Sequence, residues 1–173
     1  RPSALNRGLK EISGEFYVIQ DADDLSYPTR IEGLVKAMGE NPELAGVFSG
    51  YDLILNGSRI APRFGYKSPE QCRSDIEKMA MPSHDPTGMF RVEAVNEFKY
   101  EPSLVVGAGW DCILRVGEQL PLLVVGECLY SYRINLASNN RSGSDRRLQT
   151  VPTVLKRAYA RRDQNYTPRE KKG

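Results

Sequence analysis

Apolar residues along this chain keep two different rhythms. Leu5, Leu9 and Ile12 recur at spacings of four and three, which predicts a short amphipathic helix over Pro2 to Ile12, stopped at Ser13-Gly14. The next run, EFYVIQ, is aromatic and β-branched with little polar alternation, and reads as a strand buried on both faces. It ends abruptly in three carboxylates, Asp21, Asp23 and Asp24, within a loop that reaches Tyr27. Pro28 suits the first position of a helix, PTRIEGLVKAMGEN, striped by Ile31, Leu34, Val35 and Met38. LAGVFSGYDLIL predicts a second strand, and Asn56-Gly57 after it predicts a hairpin.

Beyond the hairpin, SPEQCRSDIEKMA reads as a helix with Ser68 as N-cap and Pro69 at its first position. MPSHDPTGMFRVEAV carries two prolines and the sole histidine, His84, before a short apolar segment. GWDCILRVGEQL is a further helix, with Trp110, Ile113, Leu114 and Gly117 on nearby faces. PLLVVGECLYSYRI is either a buried strand pair or one long bent strand. Helices and strands alternating in this way imply an α/β fold. Ligands in such folds lie beyond the carboxyl ends of strands, which is where the three acids fall.

Composition narrows the picture. At 173 residues, 40% hydrophobic and 27% charged, the chain is the size of one ordinary domain. A net charge of +2 is too small to indicate a nucleic-acid partner. No apolar run approaches the roughly 20 residues a bilayer requires, and RPSALNRGLK has no apolar core of a signal peptide. Cys72, Cys112 and Cys128 are odd in number and far apart, so a reduced, cytoplasmic setting is the simplest expectation. The chain begins without Met, inside a helical pattern, and reads as a fragment. From Asn135 onward basic residues face few acids. Residues 1–138 are therefore expected to form the folded domain and 139–173 a basic tail, partly helical or disordered. Such a tail suits peripheral contact with an anionic inner membrane face.

Like charges packed as closely as Asp21, Asp23 and Asp24 repel unless something positive lies between them. A calcium loop would place Asp21, Asp23 and Glu32 at positions 1, 3 and 12, but Leu25 and Ser26 then stand where an oxygen ligand and a glycine belong. A phosphatase-like Asp-x-Asp nucleophile would continue with Thr, and here the chain continues DLS. A metal–nucleotide site fits better, because phosphates and waters complete the coordination of a cation held by two carboxylates.

The stretch ALNRGLKEISGEFYVIQDADDLSYPTRIEGLVKAM resembles the middle of family 2 glycosyltransferases, in its Asn, its following Gly, its GE before a strand, its DADD and its Pro-led helix. The resemblance continues through GMFRVEAV, GWDCILRV and ECLYSYRINLASNN, roughly Ala4 to Ser138. It implies a GT-A-like mixed sheet flanked by helices. It also implies transfer of a sugar, with inversion, from a nucleotide-sugar to the hydroxyl of a glycan, lipid-linked or small-molecule acceptor, as in surface polysaccharide synthesis. Asp21 and Asp23 would hold Mg²⁺ or Mn²⁺ and the donor, while Asp24 supports the loop. Asn6, Arg115 and Arg133 match further donor-side positions.

Three departures qualify the likeness. The family pattern ED-x-D-x-x-L-R, laid on GAGWDCILR, aligns Asp111 and Arg115 but puts Ala108 and Gly109 where the Glu and the catalytic base should stand. Glycine accepts no proton, so the remaining candidates are Asp111 and the adjacent His84 and Asp85. Each has a plainer alternative: Asp111 a helix-dipole partner, His84 a loop histidine, Arg115 a structural ion pair, Arg133 a strand cap, Trp110 core. Leu5 stands where many relatives carry Arg. The strands that would hold the base and ribose precede SALNRGL in the family, so the chain is expected to bind nucleotide-sugar poorly alone. A catalytically degenerate domain that binds sugar, nucleotide or protein is the alternative to an enzyme.

Overall fold

The computed structural model describes residues 2–63, 65–104, 106–134 and 144–162. In chain order the elements are α1 (Pro2–Glu11), β1 (Phe16–Val18), β2 (Leu25–Ser26), α2 (Arg30–Glu40), β3 (Gly46–Leu55), β4 (Ser58–Arg63), α3 (Pro69–Glu77), β5 (Gly88–Arg91), α4 (Val92–Val95), α5 (Ala108–Gln119), β6 (Leu122–Arg133) and α6 (Ser144–Arg161). A 3₁₀ turn over Asp85–Thr87 precedes β5.

One mixed sheet has the order β1-β5-β3-β6-β2, with β4 also paired to β3. β3 runs parallel to β6 and antiparallel to β4 and β5, and β1 is antiparallel to β5. The carboxyl ends of β1, β3 and β6 therefore meet the amino end of β5 along one border of the sheet. Each face carries its own core. On one, Leu34 and Met38 of α2 pack on Val47, Leu123 and Leu129. On the other, Ile76 of α3, Ile113 and Leu114 of α5 and Val154 and Ala158 of α6 join Phe48 and Phe90.

Local sequence accounts for much of this. Asn56 and Gly57, at φ 50° and 81°, make the left-handed two-residue turn that joins β3 to β4. Ser68 accepts from the Gln71 amide and the Gln71 side chain accepts from the Ser68 amide, closing a capping box with Pro69 at the first helical position. Gly107, at φ 78°, turns the chain into α5.

Other expectations are corrected. β1 is half-buried, not enclosed, because β5 is its one strand partner among the described residues. α2 begins at Arg30, two residues after Pro28, since Pro28 and Thr29 are spent in a turn. The ambiguous segment after α5 is one long strand whose register to β3 shifts between Phe48 and Tyr51. The expected basic tail contains α6, a docked helix: Val154 and Ala158 are completely buried. Its arginines also have acid partners remote in sequence: Arg157 reaches Glu101 and Asp111, Arg161 reaches Asp111 and Glu118, and Arg162 reaches Glu118. Residues 139–143 and 163–173 of that expected tail, and 135–138 of the expected domain, lie outside the described residues. Among the described residues, no helix is long and apolar enough to cross a membrane.

Candidate active site

The acidic loop is built from below. The Asp24 amide donates to the Asp21 carbonyl at 3.1 Å, closing a tight turn. Asp24 itself is buried and points inward: its carboxylate accepts from the Tyr130 hydroxyl at 2.7 Å and from the Arg133 amide at 2.8 Å. Burial raises its pKa, and the charges of Asp23 and Asp21 push it further the same way. The Arg133 side chain donates to the Asp23 carbonyl at 2.7 Å, tying the loop to the end of β6. Asp21 is half-buried and Asp23 exposed, so the neighbouring acids divide into one buried anchor and two that reach the surface.

Beneath the loop lies Arg30, which sequence reasoning missed. It is 1% exposed and donates to Gln20 Oε1, Ser26 Oγ, the Ile19 carbonyl and the Pro86 carbonyl. Its guanidinium also stacks 4.7 Å over the Tyr130 ring. Burial lowers its pKa, though not enough to threaten the charge of a guanidinium. One arginine thus ties the acidic loop to the His84–Asp85–Pro86 turn. A signal was present: a cation in the first turn of a helix opposes the macrodipole, and needs another reason to be there.

Asp21, His84 and Asp85 border one cavity of about 410 Å³. The start of α5, at Ala108, Gly109 and Trp110, lies on its wall, and Pro2 and Leu5 of α1 add an apolar side. Thr150 and Val151 of α6 also line it. His84 stands between two aromatic rings, 5.3 Å from Tyr51 and 4.8 Å from Tyr132. It also borders a second, open cavity of about 620 Å³ lined by Tyr51, Tyr66 and Lys67. Trp110 is half-buried and donates its indole N–H to the Met79 carbonyl at 3.0 Å, which is a packing role with one edge on the cavity.

The structure separates the remaining site candidates from this cavity. Asp111 is fully buried and surrounded by arginines: Arg115 at 2.9 Å, Arg157 at 3.1 Å and Arg161 at 3.5 Å. Its carboxylate pairs with α6 and it is not among the residues lining the cavity, which makes it the hub of an ion-pair cluster. Arg115 donates to Asp111 at 2.9 Å and to the Lys99 carbonyl at 2.6 Å, and it is not among the residues lining the cavity. Both ends of the Asn6 amide bond the Tyr100 backbone, at 2.7 and 2.8 Å, so Asn6 fastens α1. Asp24, too, is occupied under its loop.

Gly109 is the remaining surprise. A Cβ built there would lie 2.0 Å from Oδ2 of Asp85, so the Asp85 carboxylate already fills the space of any side chain at 109.

A family model described as Glycosyl transferase family 2 matches residues 2–97, more than half of the chain. The chain belongs to that family. An uncharacterized glycosyltransferase of Methanocaldococcus jannaschii is 26% identical to this family 2 chain over 139 residues, covering 78% of the chain and 47% of the relative. The crystal structure of S. aureus TarS residues 1–349 superposes with a TM-score of 0.63 at 14% identity, over 88% of this chain and 43% of that one. Its complex with UDP-GlcNAc gives the same score and identity over 83% and 41%. The family 2 chain thus spans less than half the length of these relatives.

Proposed function

We propose that the chain carries the metal and diphosphate side of a glycosyltransferase site, transferring a sugar from a nucleotide-sugar to an acceptor hydroxyl with inversion. One observation supports this most: Asp21 faces the same cavity as Asp85 and the first turn of α5. A diphosphate held at the loop would present its sugar into a recess with apolar walls and a carboxylate on the far side. TarS, of the same fold, is described in complexes with UDP and UDP-GlcNAc, and a sugar nucleotide is the donor class proposed here. The acceptor is a glycan, lipid-linked or small-molecule hydroxyl.

Asp21 and Asp23 fit Mg²⁺ or Mn²⁺ that keeps most of its coordination for phosphate oxygens and water. Among the described residues no three His, Cys, Asp or Glu side chains converge, so the protein alone would hold a bare cation weakly. Repulsion is also present for a cation to relieve, since both charges push up Asp24. When bound with the donor, the metal neutralises charge on the departing diphosphate. Arg133 stands beside the loop as a protein cation for the same group. Asp24 and Arg30 hold the loop and the opposite turn in fixed relation.

Gly109 favours a second reading, a domain that binds a sugar nucleotide without turnover. Calorimetry with UDP and GDP, with and without Mn²⁺, tests the donor site. Binding is expected to require Mn²⁺ and to weaken at least about tenfold, or about 1.4 kcal/mol, in Asp21→Asn and Asp23→Asn. Binding indifferent to both metal and substitution would sink the metal assignment. Binding with no turnover of any nucleotide-sugar would favour the second reading.

A further inference from the structure

We propose that Asp85 is the general base of this chain, and that position 109 is glycine because the Asp85 carboxylate has taken the place of its side chain. The inference rests on the donor-site reading above and assigns the proton acceptor that reading leaves open.

The decisive observation is steric. A Cβ at 109 would fall 2.0 Å from Asp85 Oδ2, 2.4 Å from Cγ and 3.0 Å from Oδ1, well inside any permitted contact. The two positions therefore compete for one volume: with the Asp85 carboxylate where it stands, a side chain on residue 109 could enter only by displacing it. The family pattern expects an acid at 109. Here an acid reaches the same place from the turn before β5, 24 residues earlier in the chain. The charge environment is conserved by this exchange, because the carboxylate still lies at the amino end of α5, where the helix dipole favours an anion.

The placement suits the chemistry. Asp85 and Asp21 border the same cavity, so an acceptor hydroxyl between them can face a sugar carried on a loop-bound diphosphate. Asp85 takes the hydroxyl proton as the acceptor oxygen bonds to the anomeric carbon. The bond from that carbon to the phosphate oxygen breaks, and its electron pair leaves with the nucleoside diphosphate. Asp85 afterwards gives the proton to solvent. The turn is also held: Arg30 donates to the Pro86 carbonyl at 2.5 Å, and Thr87 Oγ1 donates to the His84 carbonyl at 2.7 Å. Behind Asp85 lie Tyr17 of β1, Tyr100 and Cys112 of α5; burial raises the pKa of all three, and the Asp85 charge raises each further. Asp21 and His84 face it from the cavity.

The test uses Asp85→Asn, Gly109→Asp and the exchanged double variant Asp85→Gly/Gly109→Asp. Each is assayed for Mn²⁺-dependent UDP and GDP binding, for turnover of a panel of UDP- and GDP-sugars, and for melting temperature. Asp85→Asn is expected to bind nucleotide like the wild type, to lose turnover by about 10²–10⁴-fold and to lose the acidic limb of the rate–pH profile. Gly109→Asp alone is expected to be damaged by the collision, and the exchange to recover melting temperature and part of the turnover. Turnover within a few-fold of wild type in Asp85→Asn would overturn the proposal. So would an exchange that restores melting temperature but no turnover, which would leave Asp85 a structural cap. A wild type that binds nucleotide but turns over no donor refutes the base while sparing the donor site. Binding by the wild type is expected to be weak, and one that shows no Mn²⁺-dependent binding of either nucleotide even at about millimolar concentration refutes the donor reading itself, and the base with it.

Discussion

Two aspartates near the first turn of α5 have opposite circumstances. Asp111, carried by the helix itself, is wholly buried and held by three arginines from α5 and α6. Asp85, carried by a distant turn, lies on the cavity wall in the space Gly109 leaves open. The residue that satisfies the sequence pattern is the structural one, and the residue outside the pattern has the position for chemistry. Matching a motif locates a region of the fold, but which carboxylate meets the ligand is decided by the face each one occupies.

That contrast can be broken experimentally. The largest effect belongs to Asp111→Asn. Removing one partner from a buried ion pair costs about 3–5 kcal/mol, because the charges left behind stay desolvated. Urea unfolding should show a loss of that order, and trypsin should gain access to α6. A stable Asp111→Asn protein with impaired turnover would instead return Asp111 to the active site.

Asn6→Ala should come next. It deletes two hydrogen bonds to the Tyr100 backbone and leaves that peptide group partly unsatisfied, a loss of about 1–3 kcal/mol. Nucleotide affinity is expected to stay unchanged in calorimetry, whereas a donor-binding Asn6 would lower it. Arg161→Ala should cost less than Asp111→Asn, since buried Asp111 keeps Arg115 and Arg157 when Arg161 is removed. A chemical melt matching that of Asp111→Asn would mean Arg161, not Arg115 or Arg157, dominates the hub.

The smallest effect concerns Asp24. Its pKa is raised in the fold by burial first, so the folded state favours the protonated form. The associated stability is present below the unfolded value of the carboxyl and is lost as pH rises through the folded value. Asp24→Asn should remove that segment of the pH–stability curve, seen as a flatter urea midpoint across the acidic range. An unchanged curve would show that the two hydrogen bonds to Asp24 offset its burial.

Much of the architecture was legible because its causes are local. The Ser68 cap with Pro69 after it and the Asn56-Gly57 turn each depend on residues a few positions apart, whereas of the expected stripe of α2 only Leu34 and Met38 are buried and Ile31 and Val35 are exposed. The acidic loop was equally visible, as an apolar run ending in carboxylates. The enclosure of β1 was misjudged because an edge strand and a central strand can share the same side chains. α6 was misjudged because a charge-rich segment looks like solvated surface until its partners are known.

Sequence by itself thus determined the α/β class, most of the helices and strands, the family and the loop where charge collects, though not β2 within that loop or the docking of α6. Tertiary structure alone decided that Asp24 is an anchor, that Asp111 is a hub and that Arg30 is a buried brace. It also decided that Asp85 occupies the place of a side chain at 109. The physical reason is one of range: propensity and capping act over one or two turns, whereas burial and ion pairing join residues such as Asp111 and Arg157, 46 positions apart. A carboxylate has the same chemistry at every position in the chain; its partners and its exposure set what it does.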